Sequence, residues 1–202
     1  MLYVMLRELG RFVFLALCAA RVRRGVLPRG GMVIASNHQS YVDPVLLGAA
    51  LPRRISFMAR DTLFRNPLFG RLIRDVGAFP VRRDGVGTEG LKTAVRKLKA
   101  GEAVLVFPEG TRTRDGQVGP IKDGAGLLSR MASVPVVPAA VEGTFRAWPR
   151  GRAYPLPARM RVAFGEAIPA ERFRRDPDGA RAELEQAIRS LHQELQDSSQ
   201  RS

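Results

Sequence analysis

The chain contains one cysteine, Cys18, and two histidines, His38 and His192. A single cysteine excludes an intrachain disulfide and gives no sign of an oxidising compartment. Two histidines without a cysteine pair are too few ligands for a zinc site of the usual His/Cys type, so no such metal is expected. Long apolar runs are missing too: the stretch from Phe12 to Ala20 falls well short of the roughly 20 residues a membrane-spanning helix needs. There is no internal repeat and no low-complexity tract. Acidic residues are scarce, 19 Asp and Glu against 33 Lys and Arg, which leaves a formal net charge of +14. Nucleic acid, anionic lipid headgroups and phosphorylated small molecules all answer to that charge, and the dominance of Arg over Lys favours bidentate contacts with phosphate or carboxylate. The features that accompany nucleic-acid binding are absent, since aromatic residues make up only 7% of the chain and no zinc-finger spacing or RNA-binding signature occurs.

What is present is a chain of ordinary single-domain size, 202 residues with 45% hydrophobic content, enough for a sizeable core. Residues 2 to 24 read as an amphipathic helix, with Leu2, Met5, Leu6, Leu9, Phe12, Val13 and Ala16 on one face and Arg7, Glu8 and Arg11 on the other. Such a helix lies in a membrane interface, with Arg21, Arg23 and Arg24 on anionic headgroups, or packs on the protein's own core. Cys18-Ala19-Ala20 is small enough for signal-peptide cleavage, but Glu8 before the apolar run and three arginines after it argue against one. The expected division is an N-terminal interface helix over residues 1–28 and one compact domain over residues 29–202.

From Gly31 onward, short apolar runs alternate with helical patterns. Candidate strands are Met32 to Ala35, Ile55 to Ala59, Gly77 to Val81, Ala103 to Phe107, Val134 to Val141 and Arg159 to Phe164. Candidate helices cover about residues 43–50, 67–75, 88–100, 122–132 and 178–196. That alternation predicts an α/β domain with a largely parallel central sheet flanked by helices. Val134-Pro135-Val136-Val137-Pro138-Ala139-Ala140-Val141 has a buried-strand pattern, but its prolines argue against regular central pairing at those positions.

Two segments carry candidate chemistry. In Asn37-His38-Gln39-Ser40-Tyr41-Val42-Asp43-Pro44, His38 and Asp43 are five apart, which on an unbroken helix turns them about 140° from each other. A loop running into a helix removes that obstacle, and Asp43 can then hold one imidazole nitrogen and leave the other free to accept a proton as a general base. The plainer alternative is that Asp43 caps the helix and His38 is an incidental loop residue. In Phe107-Pro108-Glu109-Gly110-Thr111-Arg112-Thr113, Pro and Gly stop a strand at its carboxyl end, where open α/β sheets place ligands. Arg112, the Thr111 hydroxyl and backbone amides are suited there to an anion, with Glu109 either fixing the arginine or binding a substrate hydroxyl. Gly77-Ala78-Phe79-Pro80-Val81-Arg82-Arg83 ends another strand with two arginines, one of which can reach the same edge.

These segments, in this order and spacing, resemble the glycerophosphate and lysophosphatidate acyltransferase family, whose first block is Asn-His-x-x-x-x-Asp and whose third is Phe-Pro-Glu-Gly-Thr-Arg. The resemblance runs from about residue 30 to 145 and implies that His38 and Asp43 are the catalytic pair. It further implies that Arg83 closes the second block, that Glu109, Gly110, Thr111 and Arg112 bind the acceptor's phosphate, and that Pro135 and Pro138 belong to the fourth block. Arg82 departs from the family's polar or acidic residue, so which of Arg82 and Arg83 contacts phosphate stays open. The implied reaction moves an acyl group from acyl-CoA or acyl carrier protein to the sn-2 hydroxyl of lysophosphatidic acid, giving phosphatidic acid. It takes place at the cytoplasmic face of an anionic membrane and needs no cofactor beyond the thioester donor. Glycerol 3-phosphate or a lysolipid with an amino-acid headgroup are the alternative acceptors. No Gly-x-Ser-x-Gly elbow occurs and Cys18 lies in the amphipathic segment, so no acyl-enzyme is expected.

Overall fold

Strands covered on both faces need largely apolar sequence, and four segments are buried at every residue: Met32–Ser36, Ala103–Val106, Val136–Glu142 and Arg161–Phe164. They form the middle of the sheet. The computed structural model describes residues 12, 16, 21–75, 77–81 and 88–200. Its strands are β1 (Arg21–Arg24), β2 (Met32–Ser36), β3 (Ile55–Arg60), β4 (Ala78–Val81), β5 (Ala103–Val106), β6 (Val136–Glu142) and β7 (Arg161–Phe164). They make one seven-stranded sheet in the order β1-β7-β6-β2-β5-β3-β4. Every neighbouring pair is parallel except β6 with β7, so the expected α/β class holds, with a sheet that is mixed and mostly parallel.

The helices are α1 (Asp43–Ala50), α2 (Pro67–Asp75), α3 (Thr88–Lys99), α4 (Gly124–Ala132), α5 (Thr144–Ala147), α6 (Ala170–Arg175) and α7 (Pro177–Gln200). Alternation along the strands divides the core in two. Val33, Ala35, Val104, Val106 and Val136 meet Leu98 of α3, Leu128 of α4, Phe173 of α6 and Ile188 of α7 on one face. Met32, Ile34, Leu105, Val137 and Val141 meet Leu46, Leu47 and Ala50 of α1 on the other. The parallel strands β2, β5 and β3 therefore end together on one edge, and the loops that follow them converge there.

Three expectations need correction. Phe12 and Ala16 are helical, but the helix expected to reach residue 24 gives way to β1, which pairs in register from Arg21↔Arg161 to Arg24↔Phe164. Arg21-Val22-Arg23-Arg24 carries a single apolar side chain, and only at a sheet edge can so polar a segment serve as a strand. The rest of residues 1–20 and the pair Arg82 and Arg83 lie outside the described residues.

Pro138, second, lies inside the central strand β6, opposite Ala35. The backbone of Val136 and Pro138 faces the β7 side, where Val136 exchanges hydrogen bonds with Ile168 and the Pro138 carbonyl accepts from Gly165. β7 ends at Phe164, so the N–H that proline lacks would point at the bowed segment 165–167, where the ladder is already broken. Third, Thr144–Ala147, where no element is expected, forms the one-turn helix α5, too short to leave a periodic signal.

Gly143 starts α5 with φ of +86°, and a methyl group there would collide with the carbonyl oxygen of Arg159. Gly143→Ala is expected to destabilise the protein by about 2 kcal/mol or more, through left-handed backbone strain and the clash together. Thermal denaturation reads this directly, and an unchanged Tm would show that the turn can be rebuilt.

Candidate active site

β2 stops at Ser36, and the next residue keeps the chain registered on the sheet without being part of it. The Asn37 side chain donates to the Val141 carbonyl at 3.1 Å and accepts from the Val141 amide at 2.8 Å, taking the place of one more peptide unit beside β6. His38 follows, fixed on both sides of its backbone: its N–H donates to Glu109 Oε1 at 2.8 Å and its carbonyl accepts from the Thr113 amide at 2.8 Å. The β2–α1 loop and the loop after β5 are thereby tied to each other at this residue.

Asp43 opens α1, with Pro44 behind it in the first turn, where a missing N–H costs nothing. Its carboxylate turns back along the chain. Oδ2 accepts from the Gln39 and Ser40 amides, each at 2.7 Å, and lies 2.8 Å from His38 Nδ1. Both upstream amides can only donate, so this oxygen is the acceptor and Nδ1 carries the ring proton, which leaves the lone pair on Nε2. The Asp43 side chain is fully buried and that of His38 is 19% exposed, so the imidazole is held from behind and open in front. Phe107 stacks on the imidazole with centroids 3.8 Å apart and planes 14° from parallel, restricting rotation of the ring. Asp43 Oδ1 is buried with no hydrogen-bond partner among the described residues.

The loop after β5 bends at Gly110, which has φ of +72° and donates to the Phe107 carbonyl at 3.0 Å. Glu109 is buried, and its second oxygen accepts from the Gly119 amide at 3.1 Å. Burial raises its pKa, and the two amide donors and His38 offset only part of that rise. Its oxygens are engaged by backbone, so it links the two loops and does not pair with Arg112. The Arg112 guanidinium instead lies over the Tyr41 ring, 3.5 Å from its centroid, with Nη1 buried and without a hydrogen-bond partner among the described residues. Gly110 and Thr111 are exposed beside it. The result is a hydrogen-bonded imidazole–carboxylate pair and a stacked cation on adjoining loops at the carboxyl edge of the sheet.

The structure brings His38 into contact with both Asp43 and Glu109, and sets Gly110, Thr111 and Arg112 on the adjoining loop. Arg83 lies outside the described residues, although β4, which precedes it, runs parallel to β3 and ends at Val81. Two further residues of the site escaped the sequence reading. Phe107 was assigned to a strand and Tyr41 went unremarked, although an aromatic beside a candidate base and another within its loop are a usable signal for ring stacking.

Residues 20–142 match the family described as Acyltransferase. The 1-acyl-sn-glycerol-3-phosphate acyltransferase of Bacillus subtilis (strain 168) is 35% identical over 168 residues, covering 82% of this chain and 81% of that protein. The enzyme of the same description from Streptococcus pneumoniae (strain ATCC BAA-255 / R6) is 33% identical over 113 residues, 55% of this chain and 41% of that one. Among solved structures, the 1-acyl-sn-glycerophosphate (LPA) acyltransferase PlsC from Thermotoga maritima aligns with a TM-score of 0.78 at 25% identity, covering 94% of this chain and 78% of that one. With the sheet, the paired imidazole and carboxylate, and this breadth of agreement in hand, the chain belongs to the acyltransferase family.

Proposed function

We propose that the chain transfers a fatty acyl group from acyl-CoA or acyl carrier protein to the sn-2 hydroxyl of lysophosphatidic acid, forming phosphatidic acid. The observation that carries this reading is the 2.8 Å contact between His38 Nδ1 and Asp43 Oδ2 beside a stacked arginine. His38 Nε2 takes the proton of the acceptor hydroxyl as its oxygen attacks the thioester carbonyl. The tetrahedral intermediate collapses, the carbon–sulfur bond breaks, and the imidazolium returns the proton to the departing thiolate. Asp43 keeps the tautomer and stabilises the transient positive charge, as the carboxylate of a Ser-His-Asp triad does. Arg112, with Arg83, the Thr111 hydroxyl and the Gly110 backbone, holds the phosphate. Glu109 fixes the distance between that group and His38. Holding acceptor and donor at attack distance supplies much of the acceleration.

Both substrates carry long apolar chains, so the protein works at a membrane surface. No helix of the described residues is long and apolar enough to cross a membrane. We assign the contact to the N-terminal segment, whose Phe12 is 71% exposed, acting with the cationic surface against anionic headgroups on the cytoplasmic face.

His38→Ala should abolish acyl transfer in a folded protein, and Asp43→Asn should lower kcat by about 10²–10⁴ through loss of the ring's orientation. Retained turnover in folded His38→Ala would remove the general base. Arg112→Ala should raise KM for lysophosphatidic acid about tenfold or more, the value of a charge-assisted phosphate contact, with a smaller effect on kcat. Equal KM for wild type and variant would place the phosphate elsewhere, and release of free fatty acid without any acceptor would identify a hydrolase. In flotation with anionic vesicles the full chain should rise with the lipid at low salt, and a chain lacking residues 1–20 should stay behind. Equal flotation of the two would move the membrane contact to the domain itself.

A further inference from the structure

Behind the His38 loop lies a buried polar cluster that the transfer chemistry does not use. Gln39 is 1% exposed, Glu142 at the end of β6 is 6% exposed, and His192 of α7 is 3% exposed. Gln39 Nε2 donates to the Gly116 carbonyl at 2.8 Å, and its Oε1 accepts from the Thr144 hydroxyl at 3.1 Å and the Phe145 amide at 3.4 Å. A carbonyl only accepts and a backbone amide only donates, so these contacts fix which way the Gln39 amide faces. Nε2 then also lies 3.4 Å from Glu142 Oε2 and 3.0 Å from His192 Nε2, and His192 Nε2 is 3.1 Å from that same oxygen.

One proton arrangement satisfies the whole set. His192 Nε2–H donates to Glu142 Oε2, and the second N–H of Gln39 is directed at the same oxygen, so the two nitrogens stand side by side as donors on one carboxylate. The reverse, an unprotonated Nε2 accepting from Gln39, would set its lone pair against those of Glu142. Burial pushes the Glu142 pKa up, but the hydrogen bond and charge of His192, the Gln39 bond and Arg146, 3.5 Å from Oε1, outweigh it and leave the carboxyl below its ordinary value.

Three polar side chains in a core are costly unless fully matched, and His192 occupies the apolar stripe of α7 formed by Leu184, Ile188, Leu191 and Leu195. What the cluster holds is Gln39, whose backbone N–H, together with that of Ser40, anchors Asp43 Oδ2. We propose that His192 and Glu142 are positioning residues for the acyl transfer: through Gln39 they lock the peptide units that keep Asp43 aligned on His38. This rests on the acyltransferase reading above, and it assigns a task to α7, which lies beyond the span matched by the family.

The test uses the full chain and the fact that it has only two histidines. Ring-nitrogen NMR of a His192 variant then reports His38 alone. His192→Phe keeps a ring but no donor. It is expected to lower kcat about 10- to 100-fold, the effect of a small misplacement of the base, with KM for lysophosphatidic acid within about twofold. Its His38 nitrogens should move from a fixed Nδ1–H tautomer toward the mixture of free imidazole. His192→Gln, whose amide can donate to Glu142, should recover most of both. A folded His192→Phe protein with kcat within about twofold of wild type and an unchanged His38 spectrum would overturn the proposal, as would equal losses in the Phe and Gln variants. If His192→Phe does not fold, Gln39→Met carries the same two readouts, its His38 signals told from those of His192 by comparison with His192→Gln, and an unaltered His38 tautomer in it is equally contrary. The spectra are read without substrate, so a wild-type protein inactive on lysophosphatidic acid would sink the acceptor reading and leave the positioning role to be decided by the ring nitrogens.

Discussion

A single carboxylate oxygen organises the loops at the carboxyl edge of the sheet. Asp43 Oδ2 receives two backbone amides and one imidazole nitrogen, all within 2.8 Å, at a fully buried position. Hydrogen bonds to a charged group contribute about 1.5–3 kcal/mol each, and losing the acceptor would leave several donors buried and unmatched. That convergence needs the chain to leave β2, loop back and start a helix within a few residues, which the Asn37 side chain and Pro44 at the head of α1 make possible. The tautomer of His38, the direction of its free lone pair and its stacking on Phe107 all follow from it.

The electrostatic design is asymmetric. The carboxylate that holds the imidazole is buried and paired, Glu109 is consumed in joining two loops, and the guanidinium of Arg112 is laid on an aromatic face. Stacking on Tyr41 orients the arginine without neutralising its charge. On a chain with formal charge +14, such a site sits in a field that favours anionic partners.

Much of this was legible in the sequence because its physical causes are local. Apolar runs bounded by Gly and Pro gave β2, β3 and β5 within a residue or two, and the amphipathic spacing gave α2 and α3. His38 and Asp43 were readable as partners from the loop-to-helix transition between them. What escaped depends on distant partners. Arg21–Arg24 becomes a strand only because β7 offers an open edge, and Pro138 is tolerated in β6 only because the chain bows away after Phe164. Glu109 showed its chemistry but not its task, since nothing local reveals that the amides of His38 and Gly119 reach its two oxygens. His192 left a trace, a polar residue on the buried stripe of α7, but its link to Gln39 spans 153 positions of sequence.

The proposed transfer requires that the imidazole held by Asp43 face the hydroxyl of a phosphorylated lipid whose headgroup rests on Arg112. A crystal structure with lysophosphatidic acid bound tests it most directly. The free hydroxyl oxygen should lie about 2.6–3.2 Å from His38 Nε2, with the phosphate on the Arg112 guanidinium. A lipid seated with its hydroxyl away from Nε2 and its phosphate clear of Arg112 would contradict it.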